Sequence, residues 1–380
     1  MTSHRPKFIA PQEQIINQIS TFEELLKNGH SLINCTVLAL DFRPLKLHWE
    51  NFKIKNTLFL GCQMSMEEEM QLRKKGANIY HAPEDLPYDP FRTRLYTWKE
   101  LCKTINGESH DLSVYHHFST HRYNPTINEA LWQRIHDHAM DNSLRQLLKF
   151  DHQGMTDRRC VAFMGGHGMS RTDPHYRKTV ATAKLLGEHG YFIASGGGPG
   201  IMEAANLGAY LAGQPSSAID KALDLLKEAP LYSDEGYHET ALAVLAAYPN
   251  GQENLAIPTW FYGHEPSNLF ASHIAKYFSN SIREDTLLAV ALYGIVYAPG
   301  SAGTTQEIFM DAAQNHYATF NYYSPMVFLG RERYEIETMI YPLLRQLSFG
   351  KTYHDLLYLT DEPEKVLAFL QTHGPISREE

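Results

Sequence analysis

Residues 298–307 read Ala298-Pro299-Gly300-Ser301-Ala302-Gly303-Thr304-Thr305-Gln306-Glu307. The apolar run before them, 294–297, is typical of a buried strand, and residues 308–313 after them have a helical pattern. The order is therefore strand, glycine turn, helix. Gly300 and Gly303 allow a tight bend and a close approach to a ligand, and the uncapped amides of the new helix favour an anion such as a phosphate.

Two polar side chains of this stretch suggest chemistry beyond anchoring. Thr304 can add a hydroxyl to a phosphate site, and Glu307, three residues later, lies on the same helix face one turn deeper. A carboxylate repels a phosphate, so Glu307 is expected to face sugar hydroxyls or a water. The alternative is an acidic residue that complements the dipole of the helix N-terminus.

Composition describes an ordinary globular protein. The 380 residues are 43% hydrophobic and 20% charged, which predicts two or three soluble domains. A net charge of -9 and the lack of a Lys/Arg run argue against a nucleic-acid surface. The four cysteines are scattered, which favours reduced thiols and a cytoplasmic location. The N-terminus has no secretory apolar core and the longest apolar run, 287–298, is too short to span a bilayer, so no membrane association is expected.

The first part of the chain gives few functional signals. A strand at 56–61, a helix at 64–75 and a strand at 77–80 predict a small βαβ unit within an N-terminal accessory domain, residues 1–150, whose role the sequence does not identify. Its histidines lack the His-Glu-x-x-His spacing, so no metal site is predicted. Residues 149–154 are predicted to link this domain to the next.

Strands and helices alternate regularly from Cys160 onward. This alternation predicts an α/β fold for residues 155–380, a Rossmann-like, doubly wound parallel sheet with helices on both faces. Sites in such sheets lie beyond the carboxyl ends of the strands. Three glycine turns occur at such ends, so we expect them to converge on one crevice. The turns lie at 165–166, 196–200 and 300–303.

None of these turns has a standard nucleotide-binding pattern. Glu203 occupies the place of the third glycine in the dinucleotide fingerprint, and no Gly-Lys-Ser/Thr follows a glycine loop. Binding of NAD or FAD and ATP hydrolysis of the P-loop kind are therefore disfavoured. The alternative for the cluster at 196–200 is tight packing of strand against helix alone.

Two motifs resemble those of the LOG family of nucleoside-monophosphate phosphoribohydrolases, which are often mislabelled as possible lysine decarboxylases. They are Gly196-Gly197-Gly198-Pro199-Gly200-Ile201-Met202 and Pro299-Gly300-Ser301-Ala302-Gly303-Thr304-Thr305-Gln306-Glu307, with a helix bearing Arg283 before the second. The resemblance covers residues 158–372. It implies a hydrolase, an N-glycosidase that releases the base from a nucleoside 5′-monophosphate, such as AMP or a cytokinin-like nucleotide, and leaves ribose 5-phosphate.

The resemblance also implies the site residues, a mechanism without metal or organic cofactor, and a homo-oligomer built on a dimer. Glu307 and Arg283 are the implied catalytic residues. The implied phosphate-binding residues are Gly300, Ser301, Gly303 and Thr304. The implied nucleotide-binding residues are Gly165, Gly166, Gly196, Gly197, Gly198, Gly200 and Met202.

Two positions depart from the family pattern. Ser301 replaces the second glycine of Pro-Gly-Gly-x-Gly-Thr-x-x-Glu, and Glu284 replaces the lysine of an Arg-Lys pair. The preferred base is therefore open. Arg283 has an alternative role as an ion-pair partner of Glu284 or Asp285 on the helix surface.

Two further stretches add expectations. Residues 214–251 form an insertion, which is predicted to contain helices at 218–226 and 237–247. The segment 260–266, Trp260-Phe261-Tyr262-Gly263-His264-Glu265-Pro266, either places aromatic rings over a base or forms a packed turn.

Two other functions are alternatives to nucleotide cleavage. Lysine decarboxylation is disfavoured because the glycine turns contain no lysine for a pyridoxal cofactor. A non-catalytic nucleotide sensor of the same fold is the alternative function.

Overall fold

A computed structural model describes residues 14–27, 29, 31–105, 107–150 and 156–378. The helices of the described residues are α1 Ile19–Lys27, α2 Met66–Lys74, α3 Trp98–Leu101, α4 His110–His121, α5 Ile127–Leu148, α6 Pro174–Glu188, α7 Ile201–Tyr210, α8 Ser217–Leu226, α9 Tyr237–Ala247, α10 Asn280–Val290, α11 Ala302–Tyr317, α12 Ile340–Leu347 and α13 Pro363–Thr372. The strands are β1 Gln14–Ile16, β2 Ser31–Leu38, β3 Lys53–Leu60, β4 Asn78–Tyr80, β5 Thr104–Ile105, β6 Glu108–Ser109, β7 Cys160–Met164, β8 Phe192–Ser195, β9 Leu255–Ala256, β10 His273–Ile274, β11 Ile295–Tyr297, β12 Tyr322–Tyr323, β13 Met326–Leu329, β14 Leu357–Thr360 and β15 Ile376–Ser377.

The chain divides into two compact units. The first comprises the described residues of Met1–Arg94 and Pro125–Ser143, and the second those of Leu95–Asn124 and Leu144–Glu380. The division differs from the predicted boundary at residue 150, because residues 95–124 belong to the second unit. Within that unit Tyr96 exchanges two backbone hydrogen bonds with Ile274, each 2.9 Å long. Of the predicted linker, residues 151–154 lie outside the described residues.

The first unit contains a four-stranded parallel sheet in the order β1-β2-β3-β4. The predicted βαβ unit is confirmed, since β3 and β4 pair in parallel and α2 connects them. Ser65 and Glu68 form a capping box at the start of α2. The core of the unit is aromatic, with Trp49 fully buried among Phe22, Phe42 and other rings.

The second unit contains a seven-stranded parallel sheet in the order β10-β9-β8-β7-β11-β13-β14. The chain adds β8, β9 and β10 on one side of β7 and then returns to place β11 on the other side. This order is doubly wound, and it confirms the predicted fold class. The strand order reverses between β7 and β11, and the crevice at such a switch point is where ligands bind in α/β sheets.

Local signals in the sequence explain where the helices begin. Asp173 caps α6 by accepting a hydrogen bond from the amide of His175, and Pro174 occupies the first turn. The helices α6, α7 and α13 cover the central strands through the buried Ala183, Leu186 and other apolar residues. Apolar side chains therefore cover the central strands of the sheet.

The insertion folds as predicted, with α8 and α9 at the expected positions. Arg171 holds it in place, because its Nη1 donates to the backbone oxygens of Ala229 and Tyr237, both at 3.1 Å. The same guanidinium pairs with buried Glu203, whose Oε2 is 2.9 Å from Nε. Glu203, the residue that breaks the dinucleotide fingerprint, is thus the partner of a buried structural arginine.

Candidate functional site

The three glycine turns lie side by side at the carboxyl edge of the sheet. They follow β7, β8 and β11, which are neighbours in the order β8-β7-β11. The amide of Gly166 donates to the oxygen of Pro299 at 3.0 Å, and the amide of Ile201 donates to the oxygen of Gly166 at 3.1 Å. The structure therefore brings together the turns that the sequence placed at separate strand ends.

Glycine is required where these turns touch. Gly200 has φ +67°, and a methyl group there would lie 2.7 Å from the oxygen of His167 and closer still to that of Gly166. A methyl group on Gly165 would lie 2.5 Å from Cγ2 of Ile201. Both glycines therefore serve close packing, the alternative named for the cluster at 196–200. Gly303 is different, because a methyl group there would meet no atom within 4 Å.

The first turn of α11 is open on the side of Gly303. Ser301 precedes the helix and makes no side-chain capping hydrogen bond, although its backbone oxygen accepts from the amide of Thr305 at 3.0 Å. Ser301, Ala302 and Gly303 are exposed, whereas Thr304 is buried against Gly300. Uncapped amides at a helix N-terminus carry partial positive charge, so this turn can accept an anion.

Two side chains that sequence reasoning missed support this turn. Arg333 Nη2 donates to the oxygen of Gly300 at 2.7 Å, and the Tyr334 hydroxyl donates to the oxygen of Ala298 at 2.7 Å. Both belong to the π-helical segment Glu332–Glu337 after β13. No motif marks them in the sequence, since their role arises only when β13 pairs beside β11.

The two implied catalytic residues, Arg283 and Glu307, contact each other. Arg283 Nη1 lies 3.2 Å from Glu307 Oε1, and only 8% and 14% of the two side chains are exposed. Arg283 also donates from Nε to the oxygen of Ile257 at 2.7 Å and from Nη2 to that of Gly196 at 3.2 Å. Among the described residues its ion-pair partner is Glu307, so the alternative pairing with Glu284 or Asp285 is wrong.

Glu307 lies beyond the first turn of α11, and its carboxylate contacts Arg283. Complementing the helix dipole is therefore not its main interaction. Burial raises the pKa of Glu307, the Arg283 guanidinium counteracts only part of that rise, and the Glu284 carboxylate adds to it. The net result is a carboxyl group whose pKa is above its ordinary value.

Glu284, which stands where the family pattern has a lysine, is buried, and both of its carboxylate oxygens accept a hydrogen bond. Its Oε1 accepts from Asn280 Nδ2 at 2.7 Å and its Oε2 accepts from Gln306 Nε2 at 2.9 Å. The hydrogen bonds from these two amides offset part of the desolvation free energy of the buried carboxylate. They also connect α10 with α11 next to Glu307. The negative charge of Glu284 therefore acts on Glu307, and its hydrogen bonds connect α10 with α11.

The aromatic segment 260–266 divides between the two expected roles. Trp260 is fully buried, stacks on Phe278 with ring centroids 4.7 Å apart, and is thus part of a packed turn. Tyr262 is 63% exposed, and its hydroxyl accepts a hydrogen bond from Asn280 Nδ2 at 2.9 Å. Tyr262 has the most exposed ring of the segment and is available to a ligand near Arg283 and Glu307.

Asp111 fixes both ends of this segment. It accepts hydrogen bonds from Trp260 Nε1 at 2.8 Å, from Ser267 Oγ at 3.1 Å and from the buried Lys276 Nζ at 2.9 Å. Burial opposes ionisation, but the Lys276 ammonium, together with His264 and the hydrogen bond from Trp260, lowers the pKa of Asp111 below its ordinary value. Sequence reasoning missed this residue because it lies far from the segment along the chain.

The described residues also differ from the patterns of metal sites and of membrane-spanning helices. No group of three or more His, Cys, Asp or Glu side chains in this part of the chain is arranged to hold a metal ion. Within the same residues, every helix is too short or too polar to cross a bilayer.

Comparison with solved structures gives distant neighbours. No protein-family model and no curated protein matches the chain. A molybdenum cofactor binding protein from the phototrophic bacterium Rippkaea orientalis aligns with 57% of this chain and 98% of its own, at 14% identity and a TM-score of 0.37. The molybdenum cofactor carrier protein of Chlamydomonas reinhardtii aligns with 57% and 97%, at 14% identity and a TM-score of 0.36.

A third neighbour is DNA processing protein A from Streptococcus pneumoniae. It aligns with 64% of this chain and 82% of its own, at 13% identity and a TM-score of 0.34. Similarities of this size concern the general α/β fold and say nothing of what this chain binds.

The contrast between Gly200 and Gly303 gives a prediction. Gly200→Ala should lower the free energy of unfolding by about 1–3 kcal/mol. The new methyl group would contact two backbone oxygens, and alanine rarely adopts the backbone conformation of this residue. Gly303→Ala should leave stability equal or slightly higher, since the position is open and alanine favours helix. Urea unfolding of the two variants measures the difference. Equal stability of both variants would show that the turns are not packed as described.

Proposed function

We propose that this chain is a nucleotide N-glycosidase, which hydrolyses a nucleoside 5′-monophosphate to free base and ribose 5-phosphate. The observation that carries the proposal is the buried Arg283–Glu307 pair beside the open N-terminus of α11. The resemblance of the two glycine motifs to the LOG family supports the same reaction.

The first turn of α11 is the proposed phosphate site. The amides of Ala302 and Gly303 provide donors, and Arg333, which is paired with Glu337, holds the turn by donating to the oxygen of Gly300. Ser301, in place of the usual glycine, is exposed at the entrance, where its hydroxyl can join these donors. The phosphate then defines the position of the ribose.

Glu307 and Arg283 are the proposed catalytic residues. In the reaction, water attacks C1′ of the ribose, the bond from C1′ to the base nitrogen breaks, its electron pair leaves with the base, and the proton that the water loses ends on the base. Glu307 stabilises the oxocarbenium-like transition state or orients the water. The guanidinium of Arg283 stabilises negative charge on the departing base or holds Glu307 in position.

The alternative function is a nucleotide sensor without turnover. The observation that favours it is Glu284, since the family carries a lysine at that position. Its carboxylate is satisfied by Asn280 and Gln306, so it does not occupy the crevice as a free charge. The enzyme is therefore the better supported function. The dimer implied by the resemblance stays a prediction.

Glu307→Gln tests the proposed reaction. The purified protein is incubated with AMP, GMP, CMP, IMP and UMP, and released base and ribose 5-phosphate are quantified by chromatography. The substitution keeps the size of the side chain and removes its charge, which should lower kcat by about a hundredfold or more while binding is retained. Glu364→Gln, on the exposed face of α13, is the matched control and should behave as the wild type. Turnover of Glu307→Gln within a few-fold of wild type, in a folded protein, would contradict the catalytic role of Glu307, and binding without release of base by the wild type would favour the sensor.

The electrostatic contacts of Glu307 give a pH prediction. If the ionised carboxylate is the active form, kcat/KM falls as the pH falls through the pKa of Glu307, which lies above its ordinary value. Glu284→Gln removes the neighbouring negative charge and should lower the pKa of Glu307. The acid limb of the pH profile of kcat/KM should then move to lower pH. An unmoved limb, or a limb at higher pH, would show that Glu284 does not act on Glu307.

A further inference from the structure

We propose that Glu265, together with Met202 and Tyr262, recognises a base that bears an exocyclic amino group. Glu265 accepts a hydrogen bond from that amine, and the other two side chains contact the faces of the ring. This inference rests on the proposed function, because the phosphate at α11 fixes the position of the nucleotide.

Met202 lies next to Arg283 along the turn after β8. A methyl group on Gly196 would be 2.5 Å from both Met202 Sδ and Arg283 Nη2. The thioether and the guanidinium therefore occupy the same small region above that turn. A ligand that contacts Arg283 also meets Met202.

Glu265 lies one step further along the same turn. A methyl group on Gly198 would be 2.5 Å from Glu265 Oε2 and 2.7 Å from Met202 Cε. The order above the turn is therefore guanidinium, thioether, carboxylate. Gly198 leaves room for that carboxylate, which gives this glycine a role other than packing of strand against helix.

The Glu265 carboxylate has no hydrogen-bond or ion-pair partner among the described residues. The residue is half-buried, and its segment is fixed on both sides by the contacts of Trp260 and Ser267 with Asp111. A carboxylate that loses part of its water without a partner is destabilised, so a ligand with a hydrogen-bond donor is favoured. An ionised carboxylate only accepts hydrogen bonds, so its complement is a hydrogen-bond donor, and the donor that the proposal assigns to it on the base is the exocyclic amine.

Tyr262 provides an aromatic surface at the same entrance. Its hydroxyl is held by Asn280, the residue that also binds Glu284, while most of its ring is exposed. Aromatic rings and thioethers are polarisable, apolar surfaces that suit the faces of a flat heterocycle. A nucleobase satisfies both these surfaces and the carboxylate.

The spacing of the strands places the base at this turn. The strand β8 lies two positions from β11 in the sheet, a separation of about 10 Å at the usual distance between strands. A nucleotide with its phosphate at α11 reaches the turn after β8 with its base. The arrangement also keeps the Glu265 carboxylate away from the phosphate, which it would repel. Adenine carries the amine at C6, where hypoxanthine has an oxygen, and cytosine carries it at C4, where uracil has an oxygen.

Two substrate pairs that differ by this group test the inference. The ratio of kcat/KM for AMP to IMP and for CMP to UMP is measured for the wild type, Glu265→Ala and Glu265→Gln. We expect the wild type to prefer the amino member about tenfold to a hundredfold, the range for a hydrogen bond to a charged group. Glu265→Ala should bring both ratios close to one, and Glu265→Gln, which keeps an acceptor oxygen, should give intermediate ratios.

The control variant is Glu235→Gln, an exposed glutamate between α8 and α9, which should keep both wild-type ratios. Binding of ribose 5-phosphate, measured by calorimetry, should be equal in all the proteins because this product lacks the base. Wild-type ratios that persist in Glu265→Ala, or equal use of amino and keto substrates by the wild type, would overturn the inference while nucleotide cleavage stands. If the wild type cleaves none of the four nucleotides, the proposed function fails. The inference is then tested by calorimetry, in which the ratio of the affinities for AMP and IMP replaces the ratio of kcat/KM values.

Discussion

A single buried guanidinium joins the parts of the candidate site. Arg283 donates to Gly196 in the turn after β8, to Ile257 after β9, and pairs with Glu307 in α11. Removing an arginine from water is costly unless its donors are satisfied, and these three acceptors provide that compensation. The glycine turns, the arginine helix and the carboxylate therefore depend on one another. A change in any of them alters the position of the other two.

The charges of the site are separated along the sheet edge. Positive potential lies at the first turn of α11. Towards α10 and β8 follow the paired charges of Glu307 and Arg283 and then the carboxylates of Glu284 and Glu265. An anionic group is thus attracted to one end and repelled from the other. A nucleotide has a matching asymmetry, with its charge on the phosphate and its hydrogen-bond donors on the base. The arrangement orients such a ligand before any chemistry takes place.

The sequence predicted those features that depend on local pattern and on the topology of parallel sheets. The cap at Asp173-Pro174, the two helices of the insertion and the meeting of three glycine turns follow from these rules. Contacts between distant segments could not be predicted in this way. Arg333 reaches Gly300 only through the pairing of β13 with β11, and Asp111 is placed beside Trp260 by the backbone pairing of Tyr96 with Ile274. The same pairing explains why residues 95–124 belong to the second unit.

The most direct test of the account is a calorimetric comparison of AMP with adenosine. The account places an anion on the uncapped amides of α11, so the monophosphate should bind to the wild type far more tightly than the nucleoside, which lacks that group. To keep substrate intact, the measurement is made on Glu307→Gln as well, and the preference for AMP should persist there. Equal affinity of the two ligands in both proteins would contradict the anion site, and with it the proposed orientation of the nucleotide.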